Sequence, residues 1–329
     1  MIWRRRYLGW LSLTLVLIPG LVGAHAPPDE AYFAIQFPLV LEPVVDGDLG
    51  EWVNLPGSYS IPIERVYGRS ADGPSQEGGE ADTEDLVIRH WLGWSPNTNW
   101  LYVATEVHDN RHYSGRQDPT ALWQDDTWEI AVNVDHTAPE DHNRAGGPVN
   151  TIRYIFAVPP VEGVYQTTRP GAWPWLVDGS GYVQFGWDFL GDELGEGIYS
   201  YEAAIAPIRS IADDASSPSD GVVFHDLQEG DVVHVSISLG DADGPCPECT
   251  GEKDQRLWST SPAGGSTATN DVVLAEGECF SFKEWGIQIF VDCFVAPCPD
   301  TDPPSYPYSH CSTAVEASSW ARIKASFAE

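Results

Sequence analysis

Residues 123–134, Trp-Gln-Asp-Asp-Thr-Trp-Glu-Ile-Ala-Val-Asn-Val, combine an indole with carboxylates at strand spacing. A pyranose has an apolar face that stacks on such a ring and a rim of hydroxyls that need ionic or amide partners. From Thr127 onward the residues alternate. Trp128, Ile130, Val132 and Val134 fall on one side of an extended strand, and Thr127, Glu129, Ala131 and Asn133 on the other. The first set predicts a core face; the second places a carboxylate opposite to it. Trp123 lies just before the strand, on a predicted loop, with its ring open to a ligand. A second strand over 151–158 sets Arg153 opposite Ile152 and Tyr154, where it can pair with Glu129 and hold it charged.

Other chemistries find little support. Glycoside cleavage needs two carboxylates facing each other across a cleft, and no pair of acids is singled out. There is no Gly-x-Ser-x-Gly elbow, no His-Glu-x-x-His and no Gly-rich phosphate loop. The nine histidines, among them His108, His112, His136 and His142, are too diffuse for a metal site. Haem held by an axial Met has no candidate beyond Met1. Calcium fits better: Asp46 with Asp48, Asp125 with Asp126, and Asp241 with Asp243 bring hard oxygen ligands together at turns, although none follows the twelve-residue EF-hand pattern. Asp46, Asp48, Asp241 and Asp243 are the expected ligands of a structural calcium ion.

Charge and cysteine usage define the setting. The 329 residues carry 17 Lys and Arg against 49 Asp and Glu, a formal charge of −32. Such a chain repels nucleic acid and anionic membrane. Residues 1–26 read as a secretory signal: Arg4, Arg5 and Arg6 precede the apolar run from Leu8 to Val22, and small residues follow, with cleavage expected after Ala24. Removing the signal and its three arginines leaves 14 basic residues against 49 acidic ones, a charge of −35. No other segment is expected to enter a membrane. Cys246, Cys249, Cys279, Cys293, Cys298 and Cys311 all lie in the last third, and export favours disulfides among them. Cys246-Pro-Glu-Cys249 has no matching second pair, as a zinc site would need.

The elements that must hold these residues read as strands. Short β-branched and aromatic runs alternate with Pro, Gly, Asn and Asp throughout, which predicts an all-β fold, an antiparallel β-sandwich. Strands are expected near 32–37, 87–94, 100–108, 127–134, 151–158, 182–187, 198–206, 232–238 and 285–291. Residues 67–85, 136–150 and 210–231 read as exposed loops. The sandwich is expected over 27–278. A disulfide-tied, Pro-rich C-terminal extension follows over 279–329 and ends in a short amphipathic stretch carrying Trp320, Ile323 and Phe327 at helical spacing. That stretch reads as a terminal helix docked on the sandwich or as a sorting tail.

Several of these stretches, taken in order over residues 40–275, resemble the family 9 carbohydrate-binding modules of secreted bacterial glycoside hydrolases. They are Val45-Asp46-Gly47-Asp48-Leu49-Gly50-Glu51-Trp52; Trp100-Leu101-Tyr102-Val103-Ala104 with Val107-His108-Asp109; Trp123-Gln124-Asp125-Asp126-Thr127-Trp128-Glu129; Tyr201-Glu202-Ala203-Ala204-Ile205; and Asp241-Ala242-Asp243 with Arg256 and Trp258. The resemblance implies a β-sandwich without catalytic activity that binds polysaccharide or oligosaccharide. It implies that Trp123 forms one wall of an aromatic clamp, that Glu129 bonds ring hydroxyls and that Arg153 reaches the sugar from the neighbouring strand. Asp126 shares the Trp-x-x-Asp-x-x-Glu motif and joins the expected ligand group.

One departure stands out. The family's second clamp Trp would fall in Ser259–Thr269, and that loop contains no aromatic residue. A one-sided platform forfeits about 1–2 kcal/mol of stacking, tenfold or more in affinity. Trp173 and Trp175 are candidates for the missing wall. The competing expectation is a surface or matrix protein that uses the same sandwich for protein contact and has no sugar site.

Overall fold

The computed structural model describes residues 32–37, 39–53, 55, 57–70, 76–77, 82–114, 122, 125–134, 151–157, 165–167, 174–177, 181–192, 195–212, 217, 220–245, 253–261, 270–275, 281–284 and 287–290. The signal, Trp123, Trp173, all six cysteines and the 315–327 stretch lie outside them. No helix among the described residues is long and apolar enough to cross a membrane.

Two layers of strands face each other. One contains β7 (Thr127–Asn133), β8 (Ile152–Phe156), β9 (Tyr165–Thr167) and β14 (Val232–Pro245), in the order β9-β8-β7-β14. On its far side β14 pairs first with β16 (Asn270–Leu274) and then with β15 (Lys253–Ser259), which continues to β3 (Tyr67–Ser70) and β4 (Gln76–Glu77). The second layer runs β10 (Val183–Gly191), β11 (Gly197–Ile205), β6 (Trp100–Asp109), β5 (Leu86–Ser95), with β2 (Ser60–Pro62) beside β5. The short hairpins β12–β13 (Ile208–Ile211, Val222–Phe224) and β17–β18 (Ser281–Glu284, Ile287–Phe290) pair within themselves.

Most pairings are antiparallel, as expected, but β1 (Tyr32–Gln36) is parallel to both of its neighbours. Its Tyr32–Ala34 part pairs with β16 and its Ile35–Gln36 part with β5, so one short strand belongs to both layers.

The alternation read from β7 is the one the core uses. Trp128, Ile130, Val132 and Val134 are buried between the layers. The Trp128 ring stacks on Tyr201 of β11 at 5.1 Å and tilts against Phe156 of β8 at 5.5 Å; Phe156 in turn stacks on Phe185 of β10 at 4.5 Å. Buried rings of this size contribute most per residue to the hydrophobic driving force. A second, smaller core lies on the outer side of the second layer. There Trp52, Leu55, Tyr59 and Phe37 pack on Trp91, Tyr102 and Ala204.

The clip that holds that outer cover is polar. Glu202 of β11 accepts Trp52 Nε1 at 2.7 Å on one carboxylate oxygen, and the backbone N–H groups of Gly47 (2.8 Å) and Asp46 (3.1 Å) on the other. Gly47 has φ +93° and lies directly on the backbone of Trp187, so a Cβ there would run into the Trp187 carbonyl group.

Candidate functional site

The outer face of the first layer is built mostly from polar and small side chains, with the buried Ile155 among them packing on Leu122 and Ala157. Residues directly opposite each other in an antiparallel pair share a face. Glu129 on β7 is opposite Ser238 on β14 and Ile155 on β8; Ala131 is opposite Ser236 and Arg153; Asn133 is opposite His234. Thr127, Glu129, Asn133, His234, Ser236 and Ser238 are all buried, although this is the side turned away from the apolar core.

Glu129 and Arg153 meet on that face. One guanidinium nitrogen of Arg153 donates to Glu129 Oε1 at 2.8 Å. The Glu129 side chain is 2 % exposed and that of Arg153 is 20 % exposed, so the guanidinium is the end of the pair that solvent reaches. Glu129 Oε2 and Arg153 Nε are buried and make no hydrogen bond among the described residues. Short side chains border them: Ser238 Oγ bonds Ser259 Oγ at 2.9 Å, and Asn133 donates to Thr151 Oγ1 at 3.0 Å. Next along β14, His234 Nε2 lies 3.1 Å from Asp271 Oδ1. The face thus holds an uncommitted acceptor and an uncommitted donor, both sealed from solvent, and a guanidinium that solvent reaches.

Asp126 is not part of this group. It falls two residues before Trp128 and therefore on the inner side of β7. It is fully buried, accepting Tyr113 N and Ala242 N at 2.6 Å each, with His112 Nδ1 at 3.0 Å. The strand period thus sets Asp126 and Glu129 on opposite sides of β7.

Trp175 sits on the short helix α1 (Pro174–Val177) and packs, half-buried, against the main core. Of the two readings of the Pro170–Trp175 stretch, this is the packing one for Trp175. Trp123 and Trp173 lie outside the described residues.

The four acids expected to hold calcium are not gathered. Asp46 Oδ1 accepts Asp48 N at 2.9 Å, and Asp48 Oδ1 accepts Gly50 N at 3.0 Å, so both carboxylates are turn and helix-start caps. Asp241 is buried on the inner side of β14, and Asp243 is half-buried further along the strand. The one group of three or more metal-ligating side chains among the described residues is different: Asp109, His112 and Asp126, whose ligating atoms all lie within 4.8 Å of one another. The sequence signal for it was present but divided, Asp109 closing one strand and Asp126 preceding another.

Burial pushes the Asp126 carboxyl well above the ordinary range, and the nearby Asp109 and Asp241 push it further. Asp109 and Asp241 are raised mainly by their own burial.

No protein-family model and no curated protein sequence matches the chain. Two solved structures are similar to it. One is a family 9 carbohydrate-binding module from Caldicellulosiruptor kristjanssonii in complex with glucose: 16 % identity, TM-score 0.46, covering 75 % of this chain and 96 % of that one. The other is a putative carbohydrate-binding protein from Bacteroides uniformis: 9 % identity, TM-score 0.38, covering 74 % and 97 %.

Proposed function

We propose that the protein is a secreted, non-catalytic module that binds polysaccharide or oligosaccharide on the outer face of the first layer. The observation that carries this reading is the Glu129–Arg153 pair: a guanidinium that solvent reaches, held in place by a sealed carboxylate on a buried polar face. A sugar hydroxyl can accept from that guanidinium. Trp123, two residues before the buried Asp125, supplies the stacking plane, and Trp173 is the remaining aromatic candidate for an opposite wall. Calcium belongs to this reading only as a structural helper of the sandwich. The signal directs the module out of the cell, where the cysteines pair.

Retention on insoluble glycans tests the proposal. Trp123→Ala is expected to abolish retention while leaving the melting temperature within a few degrees of wild type. Unfolding of that variant, or a glycan array with no positive spot, rejects the sugar site.

A second reading, protein contact, is favoured by one feature. Leu190, Ile198 and Val87 are exposed, at 73 %, 40 % and 37 %, and lie in one cross-strand row, with His108 between Ile198 and Val87. A blank glycan array together with self-association that is lost in Leu190→Lys selects this reading instead.

A further inference from the structure

At one end of the sandwich, on the inner side, acids and an imidazole converge from three segments. Asp109 is the last residue of β6, His112 follows it by three, and Asp126 immediately precedes β7. All three are buried. Asp241, two residues on from the core residue Leu239 and on the same side of β14, brings a third carboxylate to this end; the N–H of its neighbour Ala242 donates to Asp126.

Neutral donors fix the orientation of these groups. Asp126 accepts the backbone N–H of Tyr113 and Ala242, and Asp109 accepts Arg111 N at 2.7 Å and the Tyr199 hydroxyl at 3.3 Å. His112 is held by its own N–H on the Gly195 carbonyl at 2.9 Å and by ring contacts with Phe189 and Tyr199. Carboxylates held by fixed donors and arranged round a shared centre are the usual outer support of a metal site.

A separate observation points to the same place. The Tyr201 hydroxyl is fully buried and makes no hydrogen bond among the described residues. Its ring packs edge-on against Tyr199, 5.6 Å between centroids, and the Tyr199 hydroxyl donates to Asp109. The Tyr201 hydroxyl is thus an uncommitted oxygen one ring away from the acid group.

We propose that Asp109, His112 and Asp126 bind one divalent cation, with Asp241 and the Tyr201 hydroxyl beside it. The imidazole makes this a mixed nitrogen and oxygen site for a first-row cation such as Mn²⁺ or Zn²⁺ in preference to calcium, which takes oxygen ligands. The site lies on the inner side of β7, and the sugar face on the outer side, so the cation's role is to hold the ends of β6, β7 and β14 together.

The experiment is thermal unfolding and titration calorimetry of the full chain after chelator dialysis, with Ca²⁺, Mg²⁺, Mn²⁺ or Zn²⁺ added singly. One equivalent of Mn²⁺ or Zn²⁺ is expected to raise the melting temperature, with Ca²⁺ at least about tenfold weaker. Asp109→Asn should lose the metal-induced shift yet unfold close to metal-free wild type, because it keeps an oxygen to accept Arg111 N and the Tyr199 hydroxyl. His112→Gln should reduce the preference for Mn²⁺ and Zn²⁺ over Ca²⁺. It should also remove the nitrogen modulation from the pulsed electron paramagnetic resonance signal of bound Mn²⁺, a readout that stands even if Asp109→Asn does not fold. No shift with any cation, a shift that survives Asp109→Asn, tighter binding of Ca²⁺, or an unchanged nitrogen signal in His112→Gln overturns the proposal.

Discussion

Glu129 and Arg153 are diagonal neighbours across β7 and β8, bonded at 2.8 Å, with the acid sealed and the base one-fifth exposed. Removing the base leaves a buried carboxylate alone. Arg153→Met should therefore cost about 3–5 kcal/mol of stability, and the double variant Glu129→Gln with Arg153→Met should recover most of that. Urea unfolding of the four proteins in the cycle measures the coupling. Glycan retention measured on the same set separates stability from binding. A double variant that is stable yet retains nothing assigns the pair to the ligand; one that still binds leaves it a structural contact.

Glu202 gives a pH dependence of definite sign. Burial raises its carboxyl from 4.5 to about 7, against the three N–H donors that favour the charged form. Between those values the unfolded chain has released this proton and the folded chain still holds it. Stability from this group is therefore complete below about pH 4.5 and declines as pH rises towards 7. In Glu202→Gln that slope disappears. The difference in unfolding free energy between wild type and variant, followed from pH 4.5 to 8, isolates it; parallel profiles would show that Glu202 titrates normally.

His90 acts in the opposite direction. It is wholly buried between the layers, its Nδ1 2.7 Å from Thr105 Oγ1, and burial lowers its imidazole from 6.5 to about 3. As pH falls from 6.5, the unfolded state takes up a proton that the folded state refuses, so stability is lost progressively down to about pH 3. His90→Gln should flatten the acid limb of the stability profile. Nuclear magnetic resonance titration of the ring, showing no protonation at pH 5 in the folded protein, checks the same point directly.

Gly47→Ala tests how tightly the outer cover is seated. The new methyl would meet the Trp187 backbone, at a residue whose φ is +93°. Strain and overpacking together should cost about 3 kcal/mol or more. Fluorescence-monitored unfolding should show the loss, with Trp52 becoming more exposed to quenchers. An unchanged midpoint would mean that the 44–52 segment shifts freely on β10 and β11.

The strand period made the inner face of β7 legible from Trp128, Ile130 and Val132, and with it the opposite placement of Glu129 and Arg153. Applied one step further back, it would also have put Asp126 inside. Gly240, Asp241, Asp243 and Gly244 are depleted in strands and predict an end of β14 near 238, yet it leaves β7 at Gly240 and continues along β15 to Pro245. The grouping of Asp109 and His112 with Asp126 depends on where two strands end in space, which no local spacing reports. The same is true of β1, whose five residues carry no mark of belonging to two layers.

That shared strand has a mechanical consequence. A tug along β1 meets β16 on one flank and β5 on the other, both running in its own direction. Such a load is resisted by rows of bonds strained together, in shear, and not parted singly like a zip. A leash attached ahead of Tyr32 would therefore haul on both halves of the domain at once.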